Sequence, residues 1–439
     1  MLPACQDDVD EPTGNQGDLD QELTVLLEEL APNNNLVYFS FPESDDFNRI
    51  PQDPNNRLTA EKVSLGRLLY HETGIARNPR ESKGKGTYSC ASCHFASAGF
   101  QAGRHQGIGE GGTGFGLNGE ERDRRLDYNM LNIDVQPIRS PTTLNCAYQI
   151  AMLWNGQFGA RGVNIGTEYA WTTGTPKEAN QLGFHGVESQ AIAGLSVHRQ
   201  VEDTSDVSDL PGYKPLFDAA FPDVPEGERY NRITAGLAIA AYERTLLANE
   251  APFQRWLRGE KAAMNELEKE GALVFFGKGN CASCHTGPAL NSMEFHALGL
   301  GDLNDCPEEA FLTPSNAVEH LGRGGFTNRP EDMFKFKVPQ LYNLKDSPFY
   351  GHGGTLRSLR QVVLYKNEAV PQNPDVPTAR LADDFVPLGL TEQEVDAITA
   401  FLETALYDPN LERYVPESLP TGLCFPNADS ESMQDLGCQ

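Results

Sequence analysis

Cys90-Ala91-Ser92-Cys93-His94 is repeated letter for letter at Cys281-Ala282-Ser283-Cys284-His285. Each pentapeptide is Cys-x-x-Cys-His, the attachment signal for a c-type haem. Cysteines three apart on the first turn of a helix can each form a thioether with one vinyl group of a porphyrin. The adjoining histidine then supplies an axial imidazole to the iron. A lone Cys-x-x-Cys would also suit a zinc knuckle or a thioredoxin-like pair. The following histidine, the repetition and the apolar flanks select two covalently bound haem c groups, with a composite zinc site as the competing reading. The expected haem-binding residues are Cys90, Cys93, His94, Cys281, Cys284 and His285, with His94 and His285 on the irons.

Two haem turns in 439 residues divide the chain into an acidic N-terminal tail (1–56), a first haem domain (57–250), a second haem domain (251–410) and a C-terminal tail (411–439). Strand-like alternation is scarce. The predicted fold class is therefore mainly α: two cytochrome c-like haem domains with long loops and irregular tails. Thr59 is placed to cap a helix carrying Val63, Leu65, Leu68 and Leu69 on one face. Arg229 to Leu247 reads as an amphipathic helix, Lys261 to Phe276 leads into the second haem turn, and Thr391-Glu392-Gln393-Glu394 is a capping box for a last helix. Residues 103–120 hold eight glycines and form a loop beside the first haem; no strand–glycine–helix context makes them a phosphate cradle. The 162–186 stretch is an irregular insertion. The head is read as a tail wrapping the surface, with one short helix near Leu23–Leu30.

The formal charge is -27, from 35 basic and 62 acidic side chains. Such a surface disfavours nucleic acid and steers a basic redox partner; it also serves plain solubility. No apolar run is long enough to span a bilayer. Haem attachment to this motif takes place outside the cytoplasm, so the expected location is periplasmic or otherwise extracytoplasmic. Leu2-Pro3-Ala4-Cys5 looks like the end of a lipoprotein signal with a lipid anchor at Cys5, against an unremarkable starting cysteine. Four cysteines go to haem. Of the other five, Cys424 and Cys438 close a short loop and make the preferred disulfide, whereas Cys146 with Cys306 lacks support.

Further segments, in order, carry a resemblance. Phe95-Ala96-Ser97-Ala98-Gly99-Phe100 follows the first haem turn, then come Ser140-Pro141-Thr142, Leu144-Asn145 and Trp154-Asn155-Gly156-Gln157. Tyr242-Glu243-Arg244-Thr245-Leu246 precedes the second turn; Phe336-Lys337-Val338-Pro339, Asn343 and Gly351-His352-Gly353-Gly354 follow it. Over about residues 58 to 405 the chain resembles the bacterial di-haem cytochrome c peroxidases and their relative MauG. The resemblance implies that hydrogen peroxide reacts at the N-terminal haem and that the C-terminal haem stores and passes electrons, with Trp154 as the indole between them.

The family's distal Gln-Ala pair matches Gln190-Ala191, but Gln200 stands where the family has a catalytic Glu. A neutral amide is no general base, so His198 or Glu202 is expected to take that role, His198 having the better starting pKa. His105 is the only histidine in the glycine-rich loop and its register differs from the family's gating histidine. It is read as a solvated loop residue, and the first iron as open without prior reduction. Family peroxidases place Met opposite His285, and MauG places Tyr. Tyr365 is the candidate here, one residue short of the family register, with Met333 as runner-up. A phenolate would lower the potential of that iron. The resemblance also implies a calcium between the lobes, with Asp346 and Pro348 supplying carbonyls. Arg139 stands at the family's Asn position and cannot ligate calcium, so that site is altered or lost.

Three functions follow. A MauG-like enzyme would turn oxidising equivalents from peroxide on a Trp or Tyr of a partner protein. A cytochrome c peroxidase would reduce peroxide with electrons from a small cytochrome or cupredoxin. A plain electron-transfer protein would consume no peroxide.

Overall fold

Leu23 and Leu27 stand about one helical turn apart, and both are fully buried on helix α1 (Gln16–Leu30). The head is thus a packed element, longer than the short surface helix expected from its acidic composition. α1 lies against the helix that precedes the second haem turn, and its Asp20 carboxylate accepts a 2.6 Å hydrogen bond from the Trp256 indole. The computed structural model describes residues 16–202 and 206–438, with side chains from residue 19 onward. Cys5 lies outside the described residues.

The first lobe is built from α2 (Ala60–His71), α3 (Gly186–Val197), α4 (Tyr213–Ala220) and α5 (Arg232–Arg244). Thr59 caps α2 as the sequence suggests, its hydroxyl accepting from the Lys62 amide at 3.2 Å. Asn231 caps α5 with a reciprocal bond to Thr234. The second lobe contains α6 (Pro252–Leu257), α7 (Glu266–Phe276), α8 (Arg323–Thr327), α9 (Leu359–Glu368) and α10 (Glu392–Ala400), the last continued by a π-helical turn over Phe401–Ala405. α11 (Ser430–Asp435) sits in the tail. Strand is limited, among the described residues, to two antiparallel ribbons: β1 (Gly112–Thr113) with β2 (Asp123–Arg124), and β3 (Phe295–His296) with β4 (Phe336–Lys337). The class is mainly α.

Each lobe is organised by one close helix crossing. A Cβ on Gly66 of α2 would lie 1.9 Å from the Ala238 carbonyl oxygen of α5, and one on Gly271 of α7 would lie 2.0 Å from that of Ala397 on α10. Only a hydrogen at these positions lets the backbones touch. Leu65, Leu69 and Tyr70 on α2, and Ala272 and Phe275 on α7, are buried in one continuous apolar core that runs through both lobes. Burying one such leucine is worth about 1.5–3 kcal/mol.

Both haem turns are single 3-10 turns, Cys90–Ser92 and Cys281–Ser283, rather than the first turn of an α-helix. The 3-10 period of about three residues still brings both cysteines of each motif to one side. The tail packs over the first of these turns. Ser89 and Ser92 hydroxyls both donate to the Pro426 carbonyl, and Arg122 pairs with Asp429 in a buried contact at 3.3 Å. The expected Cys424–Cys438 disulfide closes this tail. Cys146 and Cys306 are separate thiols, bonded to the Glu243 and Gly353 carbonyls respectively. None of the described helices is long and apolar enough to cross a membrane.

Candidate haem and peroxide site

The two axial histidines are held by the same device. His94 Nδ1 donates to the Phe100 carbonyl at 3.4 Å and His285 Nδ1 to the Leu290 carbonyl at 2.9 Å. Phe100 and Leu290 both adopt positive φ, 55° and 46°, which turns each carbonyl back toward its ring. The Pro141 and Pro339 backbones also bond these rings. Four residues on, Asn145 and Asn343 repeat the pattern. Their amides donate to the Leu246 and Leu406 carbonyls, and their side chains accept from Ala248 and Asp408 amides. Burial pushes both imidazoles down to about pKa 4. Each ring is therefore neutral, with Nδ1 occupied as donor, which leaves Nε2 as the lone pair for a metal.

The surroundings fit covalently held haem. Cys281, Cys284, His285, Tyr365, Trp154 and His352 wall one largely apolar cavity in the second lobe. In the first lobe the glycine-rich loop closes onto the other turn, where a Cβ on Gly107 would lie 2.9 Å from Cys93 Sγ. Among the described residues no cluster joins the two Cys-x-x-Cys pairs. The one group with metal-ligand spacing among the described residues is Cys284, Glu294 and His296, whose sulfur a haem thioether would claim.

The expected distal residues of the first lobe lie at the end of α3. Gln190 and His198 flank Gly194 on one helix face, and Gln190 Oε1 is buried without a hydrogen-bond partner. Arg199 takes φ 52°, ending the helix and turning the chain so that Gln200 reaches the first haem turn. There its side-chain oxygen faces Cys90 Sγ at 3.5 Å. Glu202 accepts from Ser196 at 3.0 Å, back on its own helix. His198 Nδ1 bonds Asp134 Oδ2 at 2.8 Å, and its charge is felt at the His94 ring. Burial alone would lower the His198 pKa; the Asp134 charge and hydrogen bond outweigh it and raise the value. Asp134 responds in the opposite sense: burial works against its charge, yet His198 and Arg199 hold it low.

Asp134 is a neighbour of His198 that the sequence reading missed. It lies 64 positions from His198, beyond the glycine-rich loop, and only the fold joins them. His105 corrects an expectation outright. It is not solvated but buried, with Nε2 bonded to the Glu309 carbonyl at 3.0 Å. Loop composition predicted exposure; the ring is instead covered by the second lobe, where Phe349 packs beside it.

In the second lobe the Tyr365 hydroxyl donates to the Leu298 carbonyl at 2.6 Å, and burial pushes its pKa up to about 12. Met333 does not line this cavity; it packs against Gly324 on α8. Lys366, not singled out from sequence, also borders the cavity, with its ammonium 5.8 Å from the Phe385 ring centroid. Trp154 spans the lobes. Its indole donates to the Arg139 carbonyl at 2.8 Å, two residues before the Pro141 that holds His94, and its ring walls the second cavity with its edge to His352. Asp346 and Pro348 flank Ser347, whose hydroxyl is bonded by the Arg139 guanidinium. The Asp346 carboxylate itself is turned to the Asn343 amide at 3.0 Å, and burial raises its pKa to about 6.

A family profile described as di-haem cytochrome c peroxidase matches residues 60–262. The methylamine utilization protein MauG of Methylorubrum extorquens is 30% identical over 372 residues, 84% of each chain. Cytochrome-c peroxidase IdrP1 of Denitromonas iodatirespirans is 29% identical, covering 83% of this chain and 86% of the relative. Among solved structures, a MauG-like protein associated with microbial copper homeostasis shares the fold, with TM-score 0.55 and 23% identity over 84% of this chain and 95% of that one. Paired haem turns, neutral axial imidazoles and this likeness along most of its length lead to one conclusion: the chain belongs to the di-haem cytochrome c peroxidase/MauG family of oxidoreductases.

Proposed function

We propose that this di-haem, peroxidase-type enzyme activates hydrogen peroxide at the His94 haem, draws electrons through Trp154 from the His285 haem, and works in the MauG manner on a Trp or Tyr of a partner protein. The observation that carries this reading is the second cavity: Tyr365 borders it and no methionine does among the described residues. When bound, haem supplies the redox step, in which peroxide takes two electrons and two protons to become two waters.

The protein's part is proton handling, electron transfer and positioning. His198 takes a proton from the incoming peroxide and returns it to the departing oxygen, while Asp134 orients the ring and favours its protonated form. Gln190 Oε1, unpartnered and on the same helix face, would accept a hydrogen bond from the oxidant. Gln200 and Glu202 flank this pair without a direct part in the proton transfer. His105, held by the Glu309 carbonyl, would not be free to ligate a bound haem, so that peroxide would react without prior reduction. In the second lobe Tyr365 would supply a phenolate to a bound haem, releasing its bond to the Leu298 carbonyl and its proton.

The working units are taken as 57–250 and 251–410, strapped by the head and tail. The disulfide and the chemistry of haem attachment favour an extracytoplasmic location. A small cytochrome or cupredoxin as electron donor is the second reading, favoured by the net charge of -27, which steers a cationic partner. The deciding experiment adds one equivalent of peroxide to the diferric protein and follows absorption and EPR. A response of both irons supports the MauG-like reading; silence until half-reduction supports the donor-driven peroxidase.

A further inference from the structure

Arg139 is 1% exposed and, among the described residues, pairs with no carboxylate. A buried unpaired charge is costly unless its hydrogen bonds are satisfied. Here the two Nη groups are satisfied entirely by neutral oxygens. Nη1 donates to the Arg104 carbonyl at 2.9 Å and the His105 carbonyl at 3.4 Å. Nη2 donates to Gln101 Oε1 at 3.1 Å, to Ser347 Oγ at 2.5 Å and to the Ala102 carbonyl at 3.5 Å. Ser347 closes the ring by donating to Ala102 at 2.6 Å. The Phe349 face lies 5.2 Å from the guanidinium carbon. Backbone carbonyls, an amide oxygen and a hydroxyl are the donor set of a hard-cation site. They come from both lobes: 101–105 follows the first haem turn, and 347–349 belongs to the second.

We propose that the Arg139 guanidinium is the resident cation of this seam, occupying it in place of a metal, so that the lobes are joined without calcium. A planar fork with several N–H groups can satisfy in-plane oxygens that a calcium ion would otherwise gather. The same residue is tied in through its backbone. Its amide donates to the His352 carbonyl at 2.9 Å and its carbonyl accepts the Trp154 indole. The built-in cation therefore also fixes the indole between the haems, and its loss reaches the electron path.

The test uses the purified holoprotein. After dialysis against calcium and then buffer, metal analysis is expected to find less than ~0.1 calcium per chain, and Tm is expected to be the same in calcium and in EGTA. One tightly held calcium per chain, or a Tm that rises with calcium, overturns the proposal. Arg139→Asn, which removes the cation and restores a neutral oxygen, is expected to lower Tm in EGTA by about 5 °C or more. A variant as stable in EGTA as the parent overturns the proposal. Should that variant not accumulate, the metal content and Tm of the parent protein still decide.

Discussion

The two lobes use one scaffold and differ at one wall. Both hold an axial histidine through a carbonyl on a positive-φ residue, both follow it with a proline and an asparagine turn, and both cross their helices at a glycine. What differs is the set of residues brought up beside each histidine. In the first lobe α3 brings up a His198–Asp134 pair and an unpartnered Gln190 Oε1; in the second, α9 brings up a phenol bonded to its own backbone inside an apolar cavity. On the function proposed above, the repeated residues hold the cofactor, while the unrepeated ones set what it does. An ionisable pair beside one histidine can move protons, and an apolar cavity with one phenol cannot do so cheaply.

The comparison breaks most visibly at attachment. Replacing Cys281 and Cys284 with Ser should lower the pyridine haemochrome count from two per chain to one. The same change at Cys90 and Cys93 should also abolish the reaction with peroxide. Equal peroxide reactivity in both variants would dissolve the distinction between lobes.

The shared scaffold is tested next. Gly66→Ala and Gly271→Ala each force a methyl into a carbonyl oxygen, and each should cost about 3 kcal/mol or more by denaturant unfolding. A cost at only one crossing would show that the lobes are not built alike. A smaller loss is expected on replacing Cys424 and Cys438 with Ser: about 2–3 kcal/mol for a sequence separation of 14, with the haem count unchanged.

The finest distinction is in pH. The raised His198 pKa means that its pairing with Asp134 stabilises the fold fully below the unfolded histidine value of about 6.5 and is lost as pH rises through the folded value. The lowered Asp134 pKa adds the acid limb, present above its unfolded value of about 3.9 and lost as pH falls through the folded one. Neutral His198 is the proton acceptor, so the peroxide rate should climb on the alkaline side of ~6.5. Asp134→Asn should move that limb to lower pH. An unmoved limb would remove Asp134 from the proton path.

Much of this was legible because its causes are local. A Cys-x-x-Cys-His turn, the Thr59 cap and a short cysteine loop in the tail each depend on residues near one another, and each stands where the sequence put it. The wall proposed for peroxide was legible only by half. His198 and Gln190 lie on one helix face and share a spacing that sequence carries. Asp134 comes from the far side of a loop, and nothing in its own neighbourhood distinguishes it from the other acidic residues. His105 and the head misled for a related reason. Glycine-rich and acidic compositions describe average solvation, whereas the Glu309 carbonyl and the α7 surface that cover these segments are distant in sequence. The role of Arg139 was visible as a mismatch, an arginine where a ligand was expected, but its cage of oxygens needed both lobes in place.

The central claim is that peroxide chemistry belongs to the lobe with the ionisable wall. Stopped-flow rate constants for peroxide should be compared between the parent protein, His198→Ala and Tyr365→Phe. A fall of about 10²–10⁴ in His198→Ala alone is the predicted result. An unchanged rate in His198→Ala, or an equal fall in Tyr365→Phe, would contradict it.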